Sequence, residues 1–291
     1  MTQRIQTCLP ARLFGGLLCA LLALSSTHLQ AQTEVQVPSL DAADGSAPLR
    51  GHWFAAGGAG ARPAIVLLHG CGGAYDAQGR LSSRMLDYSA LLNAQGWHAL
   101  VLDSLTSRGE RQLCTQPTGG RAITSVQGRG DALGAQQWLA ARDVVDGARL
   151  VLLGWSHGGS TVLAATNLNQ REVRAAAQRP RAAVAFYPGC SADLQRNYAP
   201  NAPLLLQIGG ADDWTPAAPC EALVASAAEP RPRLVVHPGA HHGFDSNAPV
   251  RLRRDVPGGV NPGQGVHVGG QPEALARSRE ELLGFLRRAL Q

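Results

Sequence analysis

The sequence predicts an α/β fold in which a mostly parallel central sheet carries helices on both faces. Apolar runs recur at Ala64–Leu68, Ala99–Leu102, Leu150–Leu153, Ala182–Phe186, Pro203–Ile208 and Leu234–Val236. Helix-like segments alternate with them at Leu81–Gln95, Ile123–Arg142, Ser160–Asn169 and Ala217–Ala227, and Glu273–Leu290 closes the chain. The runs are continuous rather than alternating, which marks strands buried on both faces and joined by crossover helices.

Before the first run, Glu34–Val37 and His52–Ala55 alternate and are broken by Asp, Gly and Pro, so they read as edge strands. Val250–Gly270, rich in Gly, Pro and Arg, reads as a surface loop ahead of the last helix. Residues 1–31 have the layout of a secretory signal: Arg4 and Arg12, the apolar run Leu13–Leu24, and Ala31 beside the cleavage point. The run is short for a membrane span, and the bulky Leu18 before Cys19 argues against a lipoprotein signal. Residues 32–291 are then expected to form one domain in the periplasm or outside the cell, with no membrane segment once the leader is gone.

Removing Arg4 and Arg12 with the leader, which holds no acid, lowers the formal net charge from +5 to +3. All 26 basic residues are arginine and they are scattered, so there is no nucleic-acid footprint. Four cysteines remain after the leader: Cys71, Cys114, Cys190 and Cys220. An even number in an exported chain with no C-x-x-C spacing points to disulfides rather than metal.

The chemistry centres on Gly154-Trp155-Ser156-His157-Gly158, at the junction of the Leu150–Leu153 run and the following helix. A Gly-x-Ser-x-Gly sequence in that context is a sharp turn that lifts a serine hydroxyl clear of the backbone. The flanking glycines are needed where side chains would strike the strand or the helix. A serine nucleophile needs a base, and the base needs an acid to orient it. Ligands bind beyond the carboxyl ends of the strands of such sheets, and the residues there are few. Asp212 and Asp213 follow Pro203–Ile208; Asp212 is favoured because Thr215-Pro216 starts a helix close by, leaving Asp213 to solvent. His241 and His242 follow Leu234–Val236, and His242-Gly243 puts the second at a glycine-relieved bend. Serine, acid, histidine is also the chain order that hydrolases use on this kind of sheet. The His157 and Cys71 amides, the latter in His69-Gly70-Cys71-Gly72-Gly73, are the expected oxyanion donors. His237, His241 and His242 as metal ligands lack an acid or cysteine at ligand spacing, so no metal or cofactor is expected.

The segments HGCGG at 69–73, GWSHGG at 154–159, YPGC at 187–190, GGADDWTP at 209–216 and HPGAHHGFD at 237–245 resemble the dienelactone hydrolase family. The resemblance runs from about Ala61 to Phe285 and implies the α/β-hydrolase fold, with Ser156 as nucleophile, Asp212 as acid and His242 as base. It implies hydrolysis of a carboxylic ester or lactone through an acyl-serine intermediate. The founding enzymes carry cysteine where this chain has Ser156. They also bind a carboxylate with an arginine at the position of Ser246, so an anionic dienelactone is not the expected substrate. Arg108 and Arg111, on a loop facing the site, are candidates to read an acidic group, and Trp155 and Trp214 are candidates to line the pocket. In this fold the strand ending at Leu68 neighbours the one ending at Leu102, and the strand ending at Phe186 neighbours the one ending at Ile208. The implied disulfides are Cys71–Cys114 and Cys190–Cys220, one of three connectivities that four cysteines allow. A peptidase of the same fold is an alternative, disfavoured because no extra domain gates the site. A binding protein that kept the fold without catalysis is another.

Overall fold

The computed structural model describes residues 32–41 and 48–291, so the leader expected over residues 1–31 lies outside the described residues. The chain enters through β1 (Thr33–Val37) and β2 (Leu49–Phe54), an antiparallel pair. It then alternates: β3 (Arg62–Leu68), α1 (Ser83–Asn93), β4 (His98–Asp103), α2 (Ser125–Ala140), β5 (Val145–Trp155) and α3 (His157–Thr166). Short α4 (Arg171–Ala175) precedes β6 (Ala182–Phe186), and short α5 (Ser191–Gln195) precedes β7 (Leu204–Gly209). α6 (Ala218–Ser226), β8 (Arg233–His237), β9 (Arg251–Arg253), β10 (Val266–Val268) and α7 (Pro272–Ala289) complete it.

Eight strands form one sheet in the order β1-β2-β4-β3-β5-β6-β7-β8. β2 runs antiparallel to β4, and from β4 to β8 every pairing is parallel. The continuous apolar runs follow from burial on both faces. Leu150 and Leu152 of β5 pack in one core with Leu139 of α2 and Val162 of α3, while Val151 and Leu153 face the other with Met85 of α1 and Leu286 of α7. Each fully buried Leu or Val contributes roughly 1.5–3 kcal/mol, so the central strands anchor whatever stands at their ends. No helix among the described residues is long and apolar enough to cross a membrane.

The segment expected to be a surface loop departs from that reading. Arg251–Arg253 and Val266–Val268 pair antiparallel as a two-stranded ribbon. Val268 bridges to His242, and the Gly269 N–H donates to the His242 carbonyl at 3.0 Å. Three-residue strands in a run of Gly, Pro and Arg carry too little apolar pattern to announce themselves.

Both expected disulfides form. Cys71 bonds Cys114 with Cα atoms 5.0 Å apart, and Cys190 bonds Cys220 at 5.1 Å. The first ties the loop after β3 to the loop after β4, where Leu105, Leu113 and Ile123 make a small apolar cluster. The second ties the end of β6 to α6. They close loops with sequence separations of 43 and 30 residues, for which the chain-entropy model gives about 3–4 kcal/mol each. Replacing Cys190 and Cys220 together by serine should lower unfolding stability by about that amount, read as a lower denaturant midpoint with the same cooperativity. An unchanged midpoint would show that this bond constrains nothing.

Candidate active site

Ser156 sits between β5 and α3 with φ 52° and ψ −112°, a left-handed conformation rare for a residue with a side chain. The glycines around it have the expected reason. A Cβ on Gly154 would lie 2.2 Å from the Gly158 carbonyl oxygen, and one on Gly158 would lie 2.0 Å from that of Leu68. His157 is the first residue of α3, so its N–H has no acceptor within the helix. The backbone at Gly70 also comes close, an added Cβ there being 3.6 Å from the Ser156 Cβ.

The loops after β7 and β8 complete the arrangement. His242 Nε2 is 2.9 Å from Ser156 Oγ, and its Nδ1 is 2.8 Å from Asp212 Oδ2. Asp212 is 5% exposed; its Oδ1 accepts the backbone N–H groups of Trp214 and Thr215 at 2.9 and 2.8 Å. Burial pushes the Asp212 carboxyl up, but His242 beside it and these hydrogen bonds outweigh burial and hold it below the ordinary carboxylate value. The imidazole of His242 lies between Tyr187 and Trp214, with ring centroids 4.5 and 4.6 Å away. Gly243, at φ 77°, makes the bend that follows.

Two clefts meet at Ser156. The larger, about 460 Å³, includes Arg121, Thr124, Ser160 and Arg196. The smaller, about 310 Å³, includes Tyr187, Ser246, Pro249, Arg251 and Arg253. Cys71 and Trp214 line both, so an extended molecule crossing Ser156 would pass the Cys71 backbone. Burial, helped by His69 and Arg121, lowers the His157 pKa to about 3, so that ring is neutral in the cleft wall.

Other expected site residues fall elsewhere. Arg108 does not face the clefts. Its guanidinium makes paired hydrogen bonds to Asp131 of α2 at 2.9 and 2.8 Å, and its side chain is 7% exposed. A buried carboxylate captured the cation, and nothing in the local sequence pairs residues 23 apart. Arg111 is exposed and borders a separate depression with Tyr75 and Asp76. Trp155 borders the smaller cleft but is buried, with its indole N–H donating to Asp245 at 2.8 Å. Asp213 is not turned to solvent: it accepts from the His267 backbone N–H at 2.8 Å and lies 2.7 Å from its Nδ1. His237 packs on Phe244 with Nε2 3.0 Å from Gln207 Oε1, and burial lowers its pKa to about 4.

Asp245 is the residue that sequence reading passed over. The residue is 3% exposed, and its carboxylate accepts from Trp155, Tyr88, Tyr187 and Arg84 at 2.6–3.3 Å. Burial alone would raise its pKa; the Arg84 guanidinium and the tyrosine hydroxyls hold it below the usual value instead. Its signal was present as an acid three residues after the histidine in HHGFD, but the partners come from α1, β5 and the end of β6.

The parallel sheet, the helices on its faces and the strained serine at the end of the central strand define an α/β-hydrolase. The model of the dienelactone hydrolase family matches residues 52–289. The chain belongs to that family. Two uncharacterized proteins of Mycobacterium tuberculosis are each 34% identical over 135 residues, covering 38% of this chain and 44% of theirs. The chain thus spans less than half the length of those curated relatives. Among solved structures, a dienelactone hydrolase-like promiscuous phosphotriesterase from metagenomic libraries is similar at TM-score 0.61 and 19% identity, covering 90% of this chain and 100% of that one. Esterase 2 of Thermogutta terrifontis, solved phosphoramylated by tabun, is similar at TM-score 0.60 and 18% identity, covering 88% and 94%.

Replacing Asp245 by alanine leaves the buried donors of Trp155, Tyr88 and Tyr187 without their acceptor and should cost about 3–5 kcal/mol of stability. Because the native pKa is depressed, the carboxylate's contribution is complete at neutral pH and is lost as the pH falls below about 4. Denaturant midpoints measured from pH 7 to pH 3 should therefore converge between the wild type and Asp245→Ala. Parallel curves would show that the ionised carboxylate is not what stabilises the fold.

Proposed function

We propose that the protein is an exported serine hydrolase that cleaves a carboxylic ester or lactone through an acyl-Ser156 intermediate. The observation that carries this reading is His242 bridging Ser156 Oγ and Asp212 at 2.9 and 2.8 Å. Asp212 accepts a hydrogen bond from His242 Nδ1–H, which leaves the Nε2 lone pair toward the serine. Ser156 Oγ attacks the substrate carbonyl carbon while its proton passes to Nε2. The developing oxyanion takes hydrogen bonds from the Cys71 and His157 amides, groups aimed where charge appears only in the transition state. The tetrahedral intermediate collapses, the carbon–oxygen bond of the leaving group breaks, and His242 returns the proton to the departing alcohol. Water then attacks the acyl-enzyme by the same route, releasing the acid and restoring Ser156.

The two clefts meeting at Ser156 suit an acyl portion on one side and an alcohol portion on the other. Arg121 and Arg196 on the larger, and Arg251 and Arg253 on the smaller, favour an ester with an acidic group over a cationic one. Family membership and an esterase neighbour trapped as a phosphorus adduct support ester chemistry. The basic and apolar N-terminal sequence and the two disulfides support export.

A fluorophosphonate probe should label the wild type at Ser156 and leave Ser156→Ala unlabelled. Against aryl esters of graded chain length, Ser156→Ala and His242→Ala should lose about 10⁴-fold or more in kcat with folding intact. Asp212→Asn should also be severe, and Asp213→Asn mild. A folded wild type that neither reacts with the probe nor hydrolyses any ester would sink the reading and favour a binding protein. Arg121→Ala should raise KM for a carboxylate-bearing ester more than for its neutral methyl-ester counterpart. Equal changes for both would remove Arg121 from substrate recognition.

A further inference from the structure

Behind the serine, acid and histidine, three loops bring a second polar group together. Asp213 comes from the loop after β7, His241 from the loop after β8, and His267 from β10. One ligand atom from each lies within 4.8 Å of those of the other two, and all three residues are half-buried. We propose that Asp213, His241 and His267 form a binding site for a divalent transition-metal ion, of which Zn²⁺ is the type.

The donor chemistry carries this. His241 Nδ1 is 2.9 Å from the Ala211 carbonyl oxygen, which can only accept, so Nδ1 holds the proton and Nε2 presents a lone pair. A ring nitrogen fixed by a backbone carbonyl is the usual outer support of a metal-ligating histidine. The His241 and His267 rings lie close, with centroids 5.2 Å apart and planes tilted by 33°. Two neutral imidazoles and a carboxylate suit zinc and its neighbours, and not the hard cations that prefer oxygen alone. Bonds of about 2.0–2.2 Å in a tetrahedron put ligand atoms about 3.4 Å apart. Asp213 Oδ2 and His267 Nδ1 are hydrogen-bonded at 2.7 Å, and a bound ion would displace the shared proton and open this pair to that spacing. The larger spacing closes by rotation of the His267 side chain, which is 46% exposed. Water would complete the fourth position.

The sequence set aside a metal because His237, His241 and His242 had no acid at ligand spacing. Folding separates those three and brings the acid from a different loop and the second histidine from the ribbon. Each ligand also neighbours the machinery described above. Asp213 follows Asp212, His241 precedes His242, and His267 precedes Val268, which bridges to His242. A bound ion would tie together the loops carrying the acid and the base.

The test is titration of the EDTA-stripped full protein with ZnCl₂ by calorimetry at neutral pH, beside thermal unfolding with and without zinc. The wild type should take up one equivalent saturably, and Tm should rise by about 5 °C at a hundredfold excess over Kd. MgCl₂ should do neither. His267→Gln and His241→Gln should each weaken binding at least tenfold and abolish the Tm shift. His267→Gln changes a half-exposed side chain, so it keeps the test decisive should His241→Gln misfold. No saturable uptake by the wild type, or uptake unchanged in His267→Gln, overturns the proposal. Neither readout depends on ester hydrolysis, so the metal site and the proposed activity stand or fall separately.

Discussion

A single buried carboxylate sets the position of most of what surrounds the serine. Asp245 is reached by a guanidinium from α1, a phenol from α1, a phenol from the end of β6 and the indole next to Ser156. Taking a charge out of water is costly unless it is paired and its lone pairs are filled, and here both conditions are met. Each donor carries its element with it. Tyr187 is held where its ring packs against that of His242, Trp155 is held directly before the serine, and the chain leaving His242 is held through Phe244 and Asp245 itself. The distance from Nε2 to Ser156 Oγ is therefore referenced from both sides to one anion three residues beyond the histidine.

The backbone strain is arranged around the same point. Only Ser156, Tyr187 and Asn197 have positive φ among the described non-glycine residues. The first two end adjacent strands, β5 and β6, and they hydrogen-bond along the sheet: the Ser156 N–H donates to the Phe186 carbonyl at 2.9 Å, and the Tyr187 N–H to Gln207 at 2.7 Å. Such conformations cost on the order of 1–3 kcal/mol each and persist only where the surroundings over-determine them. The surroundings here are strands buried on both faces, whose residues cannot shift without opening both cores. The hydroxyl and the aromatic wall beside it are thus lifted out of the sheet by the most rigid part of the molecule.

What could be read from the sequence divides along the same lines. The parallel sheet, the helices that cross it, the edge pair at the start, the serine turn and its flanking glycines were legible because period, breakers and steric exclusion are local properties. The placement of Asp212 rather than Asp213 beside His242 was legible because Thr215-Pro216 marks where the following helix region begins. The disulfide partners followed once strand order was supplied. The roles of Arg108 and Asp245 were not legible, since each depends on partners brought in by folding: Asp131, 23 residues on, for the first, and Arg84, 161 residues back, for the second. A lone arginine near a site reads as a substrate ligand until a buried acid is seen to hold it. The ribbon at 251–268 escaped for a different reason, its strands being three residues long within glycine and proline.

That ribbon changes how the loops beyond the sheet should be regarded. Loops are ordinarily the mobile part of a fold, yet the proposed reaction requires His242 to stay within tenths of an ångström of its place beside Ser156. The chain meets this by fastening the loops to one another as well as to the strands. On one side the ribbon holds both: Val268 and Gly269 pair with His242, His267 engages the Asp213 side chain, and the Val260 N–H donates to the Asp213 carbonyl at 2.8 Å. On the other side the Cys71–Cys114 bond and the Leu113 N–H to Cys71 carbonyl hydrogen bond at 2.7 Å fasten the backbone facing the serine hydroxyl. Trp214 and Cys71, which line both clefts, belong to the loops fastened in this way. Order at the serine therefore comes from the sheet beneath it, while order at the groups that act with it comes from cross-links between loops that the sheet itself cannot reach.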